Sequence, residues 1–397
     1  MNLTNTLSNP LPSPLLNSLS NTAELLVEVR KHIAHLTLNR PQALNALSHT
    51  MIEEMSRLLD SWANDDNIKA IIVRGAGEKS FCAGGDIRAL YEAAKKADGS
   101  EHEFFVREYE LNFKIHRYLV NTGKPYIAWI DGIVMGGGMG IAQGAPIRIV
   151  GTRTKMAMPE TAIGLFPDVG GSYFLSRCPG AIGLYLGLTG QTIKAADALW
   201  TGLATHHIAS ESAFEFDYAL DELVDWSIGT VPALNEIVQK FSSVPIEPAT
   251  LPPLRSMIEK HFARQKNVCA IVESLESETD SAHVDWARST AALLKKRSPT
   301  LLEVTKRQIE SAATLSLAEC FRMELDLVTH TFEQGDVVEG IRALLIDKDH
   351  APKFKPATLA EVSIASIDQF FASPWAAENH PLRHLTLSLS NKQSKIF

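Results

Sequence analysis

Two acids, Glu160 and Asp168, stand eight positions apart in MPETAIGLFPDVGG, residues 158 to 171, an apolar stretch punctuated by prolines and glycines. A carboxylate among Met158, Ile163, Leu165 and Phe166 loses solvation, which tunes it for acid, base or nucleophilic work. Pro159 marks the end of a strand just before Glu160. Pro167 stiffens the loop that carries Asp168, and Gly170 and Gly171 release it, so both side chains can point into one cavity. The same residues also suit a structural reading, in which Glu160 neutralises a helix start and Asp168 caps one.

Two glycine turns offer such acids a partner. FCAGGDI around Gly85 and MGGGMG around Gly137 each bring bare backbone to the mouth of a helix at a strand end. Two N–H groups converging on one oxygen form an oxyanion hole, which stabilises the charge that develops on a carbonyl during enolisation or acyl transfer. The helix N-termini add a favourable dipole. Taken singly, each turn equally suits tight packing. The chain has no G-x-G-x-x-G, no G-x-x-x-x-G-K-[ST] and no G-x-S-x-G, which removes nucleotide cradles and the serine nucleophile elbow. Carboxylate chemistry remains. His206 and His207 are neighbours that point in different directions, and they read as structural.

The elements that must position these groups follow from periodicity. ELLVEVRKHIAHLTL reads as a β-hairpin, followed by a helix with Ser48 as N-cap and Ile52, Met55, Leu59 and Trp62 at helical spacing. AIIVRG and YIAWI are buried strands, each leading into a glycine turn and a helix, and PIRIV and KMAM are further strand candidates. Strands alternating with helices imply an α/β architecture. After about residue 180 the strand signals fade, and SPTLLEVTKRQIESAA and SLAECFRMELDLVTHTFEQ read as amphipathic helices.

Composition bounds the rest. With 397 residues, 45% hydrophobic and 21% charged, the chain suits a folded protein with a large core. A net charge of −8 argues against a nucleic-acid partner. The scattered Cys82, Cys178, Cys269 and Cys320 form no metal-ligand or disulfide pattern. The stretch YIAWIDGIVMGGGMGIAQGAPIRIV is broken by Asp131, glycines and Pro146, so no membrane span is expected. The first 24 residues hold no Lys or Arg, from which a cytoplasmic location is expected. Residues 1–23 read as a loose tail, 24–210 as the core, and 211–397 as a mostly helical region whose final KQSKIF is too polar to assign.

The order LNRPQALNAL, SFCAGGDI, MGGGMG, MPETAIGLFPDVGG resembles the crotonase (enoyl-CoA hydratase/isomerase) superfamily over about residues 24 to 210. With VVEGIRALLIDKDHAPKFKP further on, it is similar to the branch that hydrolyses short 3-hydroxyacyl-CoA thioesters, to roughly residue 362. The resemblance implies a spiral of ββα units with a helical C-terminal region. It implies a CoA thioester whose oxygen sits between the N–H groups of Gly85 and Gly137 and whose acyl end reaches Glu160 and Asp168. Ala83 and Ile87 would line the adenine pocket. Glu108, in FFVREYELN, would meet the polar end of the substrate; read alone, it is equally a solvated helix acid. No cofactor and no metal are implied, CoA being part of the substrate, and a homo-oligomer is a possibility.

One departure is chemical. Hydratases of the superfamily carry a second glutamate where this chain has Gly140, and a glycine cannot help clamp a water. Hydrolysis by Glu160 with Asp168 is therefore the expectation, with weak hydration expected on restoring a glutamate at Gly140. The alternatives are an isomerase or hydratase of the same superfamily and a non-catalytic subunit that keeps the fold.

Overall fold

Lys31 and His32 both take positive φ, 44° and 80°, as a two-residue hairpin turn requires. The expected hairpin closes there: β1 (Leu25–Arg30) pairs antiparallel with β2 (Ile33–Leu38). Ser48 caps α1 (His49–Ala63), its hydroxyl accepting from the Met51 N–H at 3.1 Å, and Ile52, Met55, Leu59 and Trp62 are buried along it. The structure, a computed structural model, describes residues 24–96 and 99–386; the expected tail (1–23) and KQSKIF lie outside the described residues.

Strands then come in pairs, each pair leading into helix. β3 (Ala70–Gly75) and β4 (Ser80–Cys82) precede α2 (Ile87–Lys96) and α3 (Ser100–Thr122). β5 (Tyr126–Ile130) and β6 (Ile133–Met135) precede α4 (Gly137–Gln143). β7 (Ile147–Val150) and β8 (Lys155–Ala157) precede a 3-10 turn at Glu160–Ile163, α5 (Gly171–Leu175), α6 (Ile182–Thr189) and α7 (Ala195–Trp200). The first strand of each pair joins a six-stranded sheet ordered β1-β2-β3-β5-β7-β9, with β9 (His206–His207) at its edge; the second joins a three-stranded sheet, β4-β6-β8. Apart from the opening hairpin, the strand-to-strand pairings among the described residues are parallel. This is the expected spiral of ββα units.

Buried on both faces, the larger sheet needs apolar residues at successive positions. Ile71 and Val73 enter the main core, whereas Ala70 and Ile72 meet Trp129, Phe216 and Leu234 on the other side. That second cover comes from α8 (Ala213–Glu222) and α9 (Thr230–Phe241). Beyond them the chain is helical, as expected: α10 (Leu251–Phe262), α11 (Val268–Glu276), α12 (Val284–Leu294), α13 (Pro299–Ala312), α14 (Leu317–Gln334), α15 (Asp336–Ile341) and α16 (Ile364–Phe370). Here α13 lies on α5 and α6, α14 on α3 and α5, and α15 on the Glu160–Ile163 turn. The last third of the chain thus covers the elements that carry the two acids. No helix among the described residues is long and apolar enough to cross a membrane.

Candidate active site

Gly84 takes φ 116°, which favours glycine, and turns the chain out of β4. A single parallel bridge pairs Leu47 with Gly85: the Leu47 N–H donates to the Gly84 carbonyl at 2.8 Å, and the Asp86 N–H donates to the Leu47 carbonyl at 2.9 Å. The Gly85 N–H takes no part in this bridge. On the adjacent strand Gly136, φ 47°, turns β6 into α4. Gly137 is the first residue of that helix, where an N–H has no preceding turn to bond. A Cβ on Gly137 would fall 3.2 Å from the Gly85 nitrogen and collide with Glu108 Oε1. Glycine at 137 is what lets two N–H groups and a carboxyl gather here.

Ala83, Gly85, Asp86 and Ile87 are a run of partly exposed residues beside these donors, forming an accessible rim. The Ala83 N–H is tied to the Leu44 carbonyl at 3.0 Å, and Ile87 opens α2. Both therefore border the Gly85 turn.

The acids lie behind the rim. Glu160 is 6% exposed; its Oε1 lies 3.1 Å from where a Gly136 Cβ would stand, and its Oε2 has no hydrogen-bond partner among the described residues. Glu108, on α3, is buried with Oε1 also unpartnered. Asp168 is buried and accepts from the Tyr109 hydroxyl at 3.0 Å, and Tyr109 follows Glu108 directly in α3. The structure thus brings Gly85, Gly137, Glu108 and Glu160 together and links Asp168 to them through Tyr109.

Burial dominates the electrostatics. It pushes Glu160 well above the usual carboxylate range, with Asp168, Glu108 and Glu324 adding repulsion. Glu108 is raised by burial and then by Asp168. Asp168 is pushed up to about 7 by burial, against the Tyr109 hydrogen bond that favours its charge. Closely placed carboxyls resist ionising together.

The capping alternative fails for Asp168. Its backbone carbonyl accepts the Gly171 N–H at 2.7 Å, but its carboxylate turns to Tyr109. Glu324 of α14 does the capping: it accepts from the N–H groups of Gly170 at 2.7 Å and Ser172 at 3.0 Å and from the Ser172 hydroxyl at 2.5 Å. Burial pushes it up to about 8. On the other flank Gln308 of α13 donates its Nε2 to the Pro167 carbonyl at 2.8 Å. Glu324 stands between Phe321 and Val328, both buried, on the apolar face of its helix, and that placement was a signal the sequence carried. Tyr109 had only its adjacency to Glu108.

The histidines stay apart from the acids: His206 bonds Thr205 and Gln239, and His207 bonds Ser243. Gly140 is tighter than its sequence suggested. A Cβ there would lie 2.7 Å from Asn112 Nδ2 and 2.7 Å from Val169 Cβ. A glutamate at this position would have to push Asn112 and Val169 aside, which weighs against the hydration expected of it.

Among solved structures, a carnitinyl-CoA dehydratase from Mycobacterium thermoresistibile superposes with a TM-score of 0.80 at 39% identity, over 88% of this chain and 97% of that one. A Danio rerio protein named 3-hydroxyisobutyryl-CoA hydrolase, mitochondrial, is 43% identical over 88% of this chain and 90% of its own length. A Neurospora crassa protein named small ribosomal subunit protein mS47 is 38% identical over 83% of this chain and 67% of its own length. The expectation of a cytoplasmic protein is overturned by the vertebrate relatives, which are mitochondrial by name. It rested on the charge of one short stretch, which bears on a single class of import signal and fixes no compartment. Residues 33–371 match the family described as enoyl-CoA hydratase/isomerase, and with the two-sheet spiral and the paired glycine turns in place, the chain belongs to that family.

Proposed function

We propose that the protein is a mitochondrial hydrolase of short 3-hydroxyacyl-CoA thioesters, with 3-hydroxyisobutyryl-CoA as substrate and the free acid and CoA as products. The observation that carries the reading is the placement of Glu160: its carboxyl lies against Gly136, next to the Gly137 N–H, with one oxygen unpartnered. The names of the vertebrate relatives support the same reaction.

In this reading the thioester oxygen sits between the Gly85 and Gly137 N–H groups. Ionised Glu160 attacks the carbonyl carbon, the oxygen takes up the negative charge, and the C–S bond breaks to release CoA thiolate. Thiols ionise near ~8.5, so sulfur needs no strong acid. Asp168, oriented by Tyr109, takes a proton from a water as it attacks the resulting anhydride. The bond to Glu160 breaks, the acid departs, the Glu160 carboxylate is restored, and the proton passes to the CoA thiolate. Glu160 acting instead as base on an attacking water uses the same atoms. Glu108 meets the polar end of the substrate, and Ala83 and Ile87 border the adenine. No cofactor is invoked.

A thiol reagent tests the reaction, since hydrolysis releases CoA whereas isomerisation or hydration does not. The mS47 relative favours a second reading, a non-catalytic subunit that keeps the fold. Absence of CoA release from every short acyl-CoA tried would support it.

A further inference from the structure

Glu108, Tyr109 and Asn112 occupy positions i, i+1 and i+4 of α3, so Asn112 stands one turn beyond Glu108 on the same side of the helix. Asn112 is fully buried, and among the described residues neither its Nδ2 nor its Oδ1 has a hydrogen-bond partner. A buried polar group left unpaired is costly, and this amide leaves a donor and an acceptor unpaired together. Its surroundings place it. The Nδ2 lies against Gly140, three residues into α4 from Gly137, and Gly140 also abuts Val169, the residue after Asp168. The amide is therefore wedged between the helix that supplies an oxyanion donor and the loop that supplies the second acid.

We propose that the Asn112 carboxamide reads the substrate hydroxyl beside Glu108, accepting its proton at Oδ1 and donating to its oxygen from Nδ2. This rests on the hydrolase reading above. A hydroxyl both donates and accepts, and an amide offers both complements without titrating. An ionised carboxylate only accepts. Since Asn112 has no proton to exchange, it selects substrate and leaves bond-making to Glu160, while Asp168 is free to direct water. A substrate without the hydroxyl leaves both amide groups unpaired, the condition under which a site discriminates strongly.

The test measures CoA release by the full chain from 3-hydroxyisobutyryl-CoA and from isobutyryl-CoA, for wild type, Asn112→Leu and Asn112→Ala. In wild type the hydroxylated substrate has much the higher kcat/KM. In the variants the ratio between the two substrates is expected to shrink about 10- to 100-fold, through loss on the hydroxylated substrate. If Asn112→Leu fails to fold, Asn112→Ala, which only removes atoms, gives the same readout. A preference that survives in the folded variants overturns the assignment, as does an equal fall on both substrates, the mark of a packing or water-holding role. Wild type that releases CoA from neither substrate refutes the hydrolase reading itself, and this proposal with it.

Discussion

The Tyr109 hydroxyl donates to Asp168 Oδ2 at 3.0 Å, so the aromatic residue next to Glu108 on α3 fixes an acid that arrives from a loop 59 residues later. Removing this donor takes away the one side-chain bond among the described residues that favours charge on Asp168. Tyr109→Phe is expected to move the acid limb of the kcat profile to higher pH and to lower kcat at neutral pH by about tenfold, the scale of one charge-assisted hydrogen bond. An unshifted limb in a folded variant would detach Tyr109 from the chemistry.

Glu160→Gln is expected to keep acyl-CoA binding and to lose hydrolysis by about 10²- to 10⁴-fold or more. Calorimetric binding of a short acyl-CoA, set beside CoA release, separates the two effects. Turnover near wild type would remove Glu160 from its role.

Gly137→Ala adds a Cβ that meets Glu108 Oε1 and stands 3.2 Å from the Gly85 nitrogen and 3.3 Å from Leu47 Cδ1. Glu108 must move and the paired N–H groups must spread, which is expected to cost about 3 kcal/mol of barrier, the worth of one oxyanion donor. Unchanged kcat in a folded variant would place the reacting oxygen elsewhere.

Asp168 carries opposite consequences for activity and stability. Its folded pKa of about 7 lies above the ordinary 3.8, so in that window the folded protein holds a proton that the unfolded chain has released. Stability therefore falls as pH rises from the unfolded value through about 7 and stays at the lower level above it, while the ionised form that the proposed mechanism uses grows in. Asp168→Asn is expected to abolish most turnover yet melt higher than wild type at about pH 8, with the two melting temperatures converging near about pH 4. A variant that melts lower than wild type at the higher pH would contradict the buried-charge account.

Gly140→Glu is expected to give no hydration of crotonyl-CoA, read by ultraviolet absorbance, and to lose stability, because its Cβ already collides with Asn112 and Val169. Measurable hydration in a stable variant would show that α3 and the Asp168 loop can separate there.

Much of this arrangement was legible because local chemistry marks it. Ser48 read as a cap since a hydroxyl before an apolar helical run has few other uses, and the Gly85 and Gly137 turns stood out because a glycine-rich break between strand and helix leaves N–H groups bare. Glu160 and Asp168 were conspicuous as charges in apolar company. Other contributors carry no local mark. β9 is two residues long, too short for any alternation to register. Tyr109 and Gln308 look like ordinary helix residues, and their partners lie 59 and 141 positions away. The crowding at Gly140 depends on Asn112 and Val169, which meet it only in the folded chain.

The Asp168 loop is held from both sides by α13 and α14, through bonds that span 141 residues to Gln308 and 154 residues to Glu324. During synthesis the spiral that carries Gly85, Gly137, Glu108 and Glu160 emerges well before either helix, and each domain element can fold as it appears. A nascent chain with its two sheets complete would still lack the Gln308 and Glu324 anchors of the Asp168 loop. Closing such long loops is entropically slow relative to local helix formation. The C-terminal region thus supplies, last in synthesis, the bonds that hold the Asp168 loop.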